Sequence, residues 1–441
     1  MKKIVLDRGQ QTGDIQFELD PAPTAAGWIL DSYGEPIANI LVEALRRSYD
    51  VRGNRRMTRV ATAVTDDRGQ YRIFWLDPGE YFFYAASPLP DADEAQPPRV
   101  FTPTYFPGVS TPDDAKSLRL DIGREIRVDF RLARAGLWSI KGQTMDGMTS
   151  RSVAATITLR PPAEDPSFSR YHAQSSATGP SPGEFSMDNV PPGSYILMAK
   201  SRSGDQEIAA FQRIVLRSIL VALPYPISLT LSPPSSLSGR LLIESREAVD
   251  LRGTNVTLMP IDADLPSPQS VFARPDGQFI LNGVVAASYV LDISNLPQDL
   301  YLKAARYGAD DMLEKPLTLD TRRETPNTIQ ILLASDGGRL QAAAYNGKRE
   351  LHAGAQFVLV PADMKRRDRR EQYRVATSGE DGLASIRGIP PGTYKLFAWE
   401  HLEPNAYLNS DYLQAYEAFG IPVNITTGDN PPVSVRLIPK E

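Results

Sequence analysis

Short stretches in which apolar and polar residues alternate recur along the whole chain. Four of them are close in pattern and lie about a domain length apart: 128–132, 227–231, 329–333 and 433–437. Successive side chains of a β-strand point to opposite faces, so a period of two predicts a half-buried strand. A helical period is clear only near residues 409–420. The pattern therefore predicts an all-β fold built from many short strands.

A second pattern recurs four times and combines a glycine turn with a tyrosine 12 residues later. The four pairs are Gly69 and Tyr81, Gly183 and Tyr195, Gly277 and Tyr289, and Gly382 and Tyr394. The Asp-Gly or Pro-Gly sequences predict tight turns in which glycine takes a positive φ. We expect a strand after each glycine, and a Pro-Pro-Gly-like segment that reverses the chain. The tyrosine strand would then return as the hairpin partner of that strand.

The four turn glycines divide the chain into domains. They lie 94 to 114 residues apart, which is a common domain length. Short proline- or glycine-bearing linkers fall between the copies and favour a semi-rigid, extended array. We predict four domains, at 21–134, 135–234, 235–335 and 336–441, the last with a short aromatic helix.

Residues 1–20 resemble the final two strands of a domain without its body. The stretch Ile15-Gln16-Phe17-Glu18-Leu19 matches the closing strands of the other copies. Three interpretations stay open. The segment is the remnant of a preceding domain in a longer protein, an extra edge of the first full domain, or a strand donated to a neighbouring molecule.

The repeat resembles the carboxypeptidase regulatory-like domain family. The family pattern is Asp-x-x-Gly-x-Tyr/Phe followed by Pro-Pro-Gly-x-Tyr, and residues 66–81, 183–195 and 381–394 carry it. The third copy has Ala286-Ala287-Ser288 in place of Pro-Pro-Gly, and the fourth has Ala384 in place of the aromatic residue. The resemblance implies a linear array of four immunoglobulin-like or transthyretin-like β-sandwiches with an N-terminal orphan hairpin. It supplies no catalytic residues, and its tandem versions occur in bacterial envelope proteins.

Composition narrows the classes of partner. The 37 prolines suit turns and strand edges. A net charge of -5 and a pI near 5.5 argue against nucleic acid as a partner. The chain has no cysteine, no signal-peptide pattern at its start and no apolar run long enough to span a membrane. We expect an extracellular or cell-envelope location, with a cytoplasmic one still open.

The motifs that suggest catalysis each lack a feature that the chemistry requires. The sequence Gly179-Pro180-Ser181-Pro182-Gly183 matches the serine-hydrolase string, but Pro182 has no N–H to give to an oxyanion hole. The three histidines lie far apart, without metal-ligand spacing. We therefore predict no catalytic residue, no cofactor and no metal ion, and expect that the protein is not an enzyme.

Two segments are candidates for contact with a partner. The basic run contains Lys365, Arg366, Arg367, Arg369 and Arg370, and it suits either a solvated hairpin tip or an acidic partner. The aromatic segment contains Trp399, Tyr407, Tyr412 and Tyr416, and it suits either a small core under a helix or a platform for sugar rings. The predicted function is a non-catalytic structural or adhesive protein that acts through self-assembly or an envelope partner. The alternative is a carbohydrate-binding array.

Overall fold

The computed structural model describes most of the chain and shows an all-β protein. The described residues are 20–87, 100–160, 171–175, 181–190, 192–216, 226–244, 249–262, 265, 270–319 and 328–440, with backbone only for 171–175 and 189. The orphan hairpin predicted at residues 1–20 lies outside them except for Asp20. The described helices are short, and none is long and apolar enough to cross a membrane.

The chain divides into two compact units. The first comprises the described parts of Met1–Arg47, Met57–Pro88 and Arg99–Ala135, and the second those of Ser48–Arg56, Leu89–Pro98 and Gly136–Glu441. Eight sheets are distributed over four stretches of sequence, two sheets in each. The proposed boundaries of the four domains are not tested by this division and stay a prediction.

The first sandwich lies in the first unit, apart from residues Ser48–Arg56, which belong to the second unit. Its sheets have the orders β4-β1-β8, with β9 also on β1, and β3-β2-β5-β6, with β7 also on β5. A 3-10 turn spans Pro112–Asp114. The strands are β1 (Thr24–Asp31), β2 (Leu41–Tyr49), β3 (Arg55–Val64), β4 (Gln70–Ile73), β5 (Gly79–Ala86), β6 (Thr104–Tyr105), β7 (Leu118–Leu120), β8 (Glu125–Arg127) and β9 (Phe130–Leu132).

The second sandwich pairs a sheet of order β13-β10-β16 with one of order β12-β11-β14-β15. Trp138, Ile157 and Leu197 are among the buried residues between them. The strands are β10 (Trp138–Asp146), β11 (Ala155–Arg160), β12 (Tyr171–Ser175), β13 (Glu184–Val190), β14 (Gly193–Ser203), β15 (Gln206–Leu216) and β16 (Ile227–Leu231).

The third sandwich has sheets of order β20-β17-β25-β22-β23 and β19-β18-β21-β24. Phe279, Tyr289 and Ile331 lie in its core. The strands are β17 (Ser235–Glu244), β18 (Asn255–Pro260), β19 (Val271–Phe272), β20 (Gln278–Val284), β21 (Ser288–Ser294), β22 (Tyr301–Tyr307), β23 (Asp310–Asp311), β24 (Leu317–Thr318) and β25 (Ile329–Ala334).

The fourth sandwich has sheets of order β29-β26-β32, with β33 also on β26, and β28-β27-β30-β31. Helices α1 (Met364–Arg367) and α2 (Ser410–Ala415) and 3-10 turns at Arg370–Gln372, Ala406–Leu408 and Glu417–Phe419 lie between its strands. The strands are β26 (Gly338–Tyr345), β27 (Gln356–Pro361), β28 (Arg374–Thr377), β29 (Leu383–Ile389), β30 (Gly392–Trp399), β31 (Ile421–Ile425), β32 (Gly428–Asp429) and β33 (Val433–Arg436).

All four sandwiches share one strand arrangement. The leading strand (β1, β10, β17 or β26) pairs antiparallel with the strand after the turn glycine and parallel with the closing strand. The tyrosine strand pairs with the second strand of its repeat, in the opposite sheet. The expected hairpin between the turn strand and the tyrosine strand is therefore wrong. Between these two strands the chain crosses from one sheet to the other, which puts both apolar faces into one core.

The turn glycines have the geometry that their sequence predicts. Their φ angles lie between +71° and +78° at Gly69, Gly183, Gly277 and Gly382. The backbone also comes close, since a Cβ on Gly277 would lie 2.5 Å from the carbonyl oxygen of Leu241. Only glycine meets both demands without strain.

In the third sandwich, a glycine of the leading strand packs under an aromatic ring of the strand that follows the turn glycine. Gly239 faces Phe279 across the strand pair, and a Cβ on Gly239 would lie 2.0 Å from Phe279 Cζ. The second sandwich has the same pairing of glycine with phenylalanine. In the fourth sandwich Ala342 faces Ala384 instead, and both are buried. At this pair, two alanine methyl groups take the place of the phenylalanine ring and the glycine hydrogen. The loss of the aromatic side chain on one strand is thus accompanied by a larger side chain on the facing strand.

The repeat tyrosine closes the chain reversal that precedes it. The hydroxyl groups of Tyr81, Tyr289 and Tyr394 each donate to the carbonyl oxygen four residues earlier, at 2.9, 2.8 and 2.7 Å. The third copy makes this bond although alanine and serine replace Pro-Pro-Gly. The tyrosine, rather than the prolines, is therefore the constant element of this turn.

Candidate functional site

Helix α1 carries the first part of the basic run and presents Lys365 to solvent. The side chain of Asp363 caps it by accepting a hydrogen bond from the Lys365 backbone N–H at 3.0 Å. Arg366 and Arg367, later in the same helix, are half-buried. The segment is therefore a folded part of the fourth sandwich.

The four arginines of the run are used inside the chain. Arg366 donates to the Tyr394 hydroxyl at 3.1 Å, and Arg367 donates to a backbone carbonyl at 2.9 Å. Arg369 pairs with Glu371 at 2.7 Å. These contacts leave fewer guanidinium N–H groups for an external acidic partner than the sequence suggests. The partner contact at these residues stays a prediction.

The contact of Arg366 with the repeat tyrosine has a counterpart in the first sandwich. The Arg366 guanidinium lies 5.5 Å from the centre of the Tyr394 ring, and Arg46 lies 4.5 Å from that of Tyr81. Arg46 also donates to the carbonyl of Pro78, next to the same turn, at 3.0 Å. Two copies thus use an arginine to hold the turn that the tyrosine closes.

The aromatic segment forms a second core on the fourth sandwich. Trp399 is only 1% exposed; it stacks on Phe397 with ring centres 5.5 Å apart, and Tyr416 meets it edge-on at 5.9 Å. Tyr412 stacks on Trp399 from α2 at 6.4 Å, and Tyr407 packs against another ring at 5.8 Å. The predicted helix is present as α2 but is shorter than expected, since it ends at Ala415 and a 3-10 turn follows at Glu417–Phe419. Asn409 caps it by accepting a hydrogen bond from the Tyr412 backbone N–H.

The burial of these rings bears on the sugar-platform interpretation. A sugar stacks on the exposed face of a ring, whereas Trp399 is enclosed and Tyr407, Tyr412 and Tyr416 are half-buried against their neighbours. The positions of the rings therefore favour a small core under a helix.

A cleft of about 520 Å³ lies between the third and fourth sandwiches, within the second unit. One ion pair crosses it, since Asp292 of the third sandwich lies 3.7 Å from Arg370 of the fourth. Burial raises the pKa of Asp292, and the nearby Arg370 opposes that rise. Arg374, also in the wall, donates to the carbonyl oxygens of Gly388, Glu371 and Tyr373. The ion pair of Asp292 with Arg370 therefore joins the two sandwiches, whereas the bonds of Arg374 stay within the fourth sandwich.

The described residues hold no group of three or more histidine, cysteine, aspartate or glutamate side chains that could bind a metal ion. His401 lies 4.0 Å from Glu403, and both are exposed. His352 is half-buried in the fourth sandwich, and the side chain of His172 lies outside the described residues.

One expectation from the sequence is wrong. Alternation with Ile73 predicts that Trp75 is buried, but the strand after Gly69 ends at Ile73, and of these two residues only Ile73 lies in the core. Trp75 is 89% exposed and has a φ of +57°. It lies six residues after a turn glycine, at a position that the repeat alignment could have marked.

Comparison with known proteins gives a weak structural likeness and no family. No family model matches the chain, and no curated protein matches it. Among solved structures, the Bacillus anthracis TIE protein aligns at 10% identity and a TM-score of 0.20, over 98% of this chain and 76% of that one. A streptococcal ancillary pilin aligns at 12% identity and 0.21, over 68% and 99%. The full-length RrgB pilus protein from Streptococcus pneumoniae aligns at 9% and 0.20, over 95% and 98%. Scores this low do not identify a family, and the resemblance to carboxypeptidase regulatory-like domains stays a prediction.

Proposed function

We propose that the protein is a non-catalytic structural protein of the bacterial cell surface or extracellular space. Its four sandwiches, at 21–134, 135–234, 235–335 and 336–441, act as a spacer or as a filament or stalk subunit through protein–protein contacts. The observation that carries this proposal is that the candidate functional residues make structural contacts within the chain. Arginines and aromatic rings that could act on a ligand are instead committed to turns, cores and junctions.

The junction of the third and fourth sandwiches supports this role. The Tyr301 hydroxyl donates to Asp336 at 2.9 Å, and Arg339 pairs with Asp299 at 3.2 Å. Gly388 approaches the preceding sandwich so closely that a Cβ there would lie 2.8 Å from the Leu300 carbonyl oxygen. A hydrogen bond and an ion pair beside a close backbone contact suit domains that must transmit force or hold a fixed spacing.

The proposal is tested by the assembly state of the purified full chain. Light scattering over a concentration series and electron microscopy should show concentration-dependent oligomers or filaments. A chain that stays monomeric at the highest soluble concentration would contradict the filament form of the proposal. Residues 1–20 can be deleted in a parallel sample. Loss of assembly there would favour the donated-strand interpretation, and unchanged assembly would oppose it.

A further inference from the structure

Trp75 carries two energetic costs at one residue. Its φ of +57° places a bulky side chain in the left-handed region, which residues other than glycine, asparagine and aspartate rarely adopt. Its indole ring is 89% exposed, so the chain recovers little of the benefit of burying a large apolar group. An observed backbone outlier of this kind is a reason to look for a function.

The other copies show that the backbone conformation belongs to the fold. The position six residues after the turn glycine is Asn189, Gly283 and Gly388 in the second, third and fourth copies. Gly283 and Gly388 have φ values of +75° and +60°. Glycine and asparagine are the residues that tolerate this conformation best. The first copy thus has a tryptophan where the fold favours glycine, and the folding of that sandwich does not account for it.

Two further exposed apolar residues lie at the same end of the first sandwich as Trp75. Leu76 donates from its backbone N–H to the carbonyl of Pro23, just before the leading strand begins, which places Trp75 at the leading end of the sandwich. Gly123 makes the matching bond to Pro21, so Ile122 lies at the same end. Phe74, Trp75 and Ile122 are all more than half exposed. We call these three residues the leading-end patch.

The fourth sandwich shows what covers the equivalent end. Gly388, at the position of Trp75, is packed against the loop of the third sandwich, with the Gln298 and Leu300 carbonyl oxygens 2.8 Å from a Cβ built on it. The ion pair of Asp299 with Arg339 closes the same contact. Within the second unit, therefore, the leading end of one sandwich binds the trailing loop of another.

We propose that the leading-end patch binds the trailing end of a sandwich from a second copy of this chain, so that copies join head to tail. The chain's own junction between its third and fourth sandwiches is the precedent for such a contact. Contacts between different surfaces of identical subunits can propagate into a filament. An exposed tryptophan at the centre of such a contact is a typical hot spot. This inference rests on the proposed structural role and assigns one surface to it.

The test compares the full-length protein with Trp75→Gly and Tyr33→Ser. Trp75→Gly removes the ring and restores the residue that the backbone favours. Tyr33 is 85% exposed, in the turn after the opposite end of β1, so its substitution is a matched loss of an exposed ring. Self-association is measured by sedimentation velocity over a concentration series, and the opening free energy of the first sandwich by hydrogen exchange of peptides from β1 and β4.

Trp75→Gly should weaken self-association at least about 30-fold, the loss expected for a hot-spot side chain. The opening free energy of its first sandwich should equal or exceed that of the wild type. Tyr33→Ser should associate like the wild type. Assembly of Trp75→Gly at wild-type strength would overturn this inference and leave the proposed function standing. A monomeric wild type would overturn both. A clear fall in the opening free energy of the first sandwich in Trp75→Gly would mean that the ring is covered within its own chain, which also overturns the inference.

Discussion

The pairing of Gly239 with Phe279 gives a quantitative test of how the repeat packs. Gly239→Ala puts a methyl group where Phe279 Cζ would lie 2.0 Å away, so ring or backbone must move. Overpacking of this kind costs about 1–3 kcal/mol. Phe279→Ala empties a site that is 1% exposed and should cost about 3–5 kcal/mol.

The double variant should cost less than the sum of the two single variants. Once the ring is gone, the new methyl group at 239 fills part of the space and no longer collides. The fourth sandwich already has this combination, since Ala342 faces Ala384. We expect a favourable coupling of about 1–3 kcal/mol between positions 239 and 279, as found for residues that share one site.

Hydrogen exchange of the full chain is the suitable assay. Residues 235–335 contain no tryptophan, and a chain of several domains does not unfold in two states. Exchange measured by mass spectrometry on peptides from β17 and β20 reports the local opening free energy of the third sandwich. Additive costs in the double variant would refute the packing argument, because they would mean that the alanine methyl group and the ring never compete for the same space.

Three further substitutions test the turns. Gly277→Ala should lower the opening free energy of the third sandwich by about 3 kcal/mol, since its φ is +78° and its Cβ would lie 2.5 Å from a carbonyl oxygen. Gly253→Ala, with a φ of +90° and open space around it, should cost only the strain of about 1–2 kcal/mol, and equal costs at the two sites would contradict the role of the clash. The hydrogen bond from the Glu35 backbone N–H lowers the pKa of Asp31, so the ionised carboxylate stabilises the fold above its ordinary pKa, and that stability is lost as the pH falls through the lowered value. Asp31→Asn should flatten this acid dependence in thermal melts at pH values below the ordinary aspartate pKa. Near neutrality it should lose only the stability that the charge adds, because Asn346 accepts the same turn bonds without charge. An unchanged acid slope would contradict this.

The sequence predicts the local geometry of the repeat well. The spacing of 12 residues between the turn glycine and the tyrosine is the length of one strand, one crossing and one turn, and these depend on nearby residues. The positive φ of the glycines and the helix capped by Asn409 follow from the same short-range rules. All of these features are present in the structure.

Long-range pairing is where the sequence prediction fails. Alternation marks the strand that contains Tyr81 but does not say whether it pairs with β4 or with β2, because both would bury the same face. A charge run likewise does not reveal its partners. Arg370 lies far along the chain from Asp292, and only the fold brings them within 3.7 Å.

Comparison of the four copies separates residues that the fold requires from residues that it does not explain. Arg46 and Arg366 hold the same turn in two copies, so the contacts of each are accounted for by the architecture. Trp399 is accounted for by its burial. Trp75 satisfies neither criterion, since its ring is exposed and its backbone position is glycine in two other copies. A side chain that one copy retains against the preference of the backbone, at an end where another copy makes a junction, is best explained by a contact outside its own sandwich.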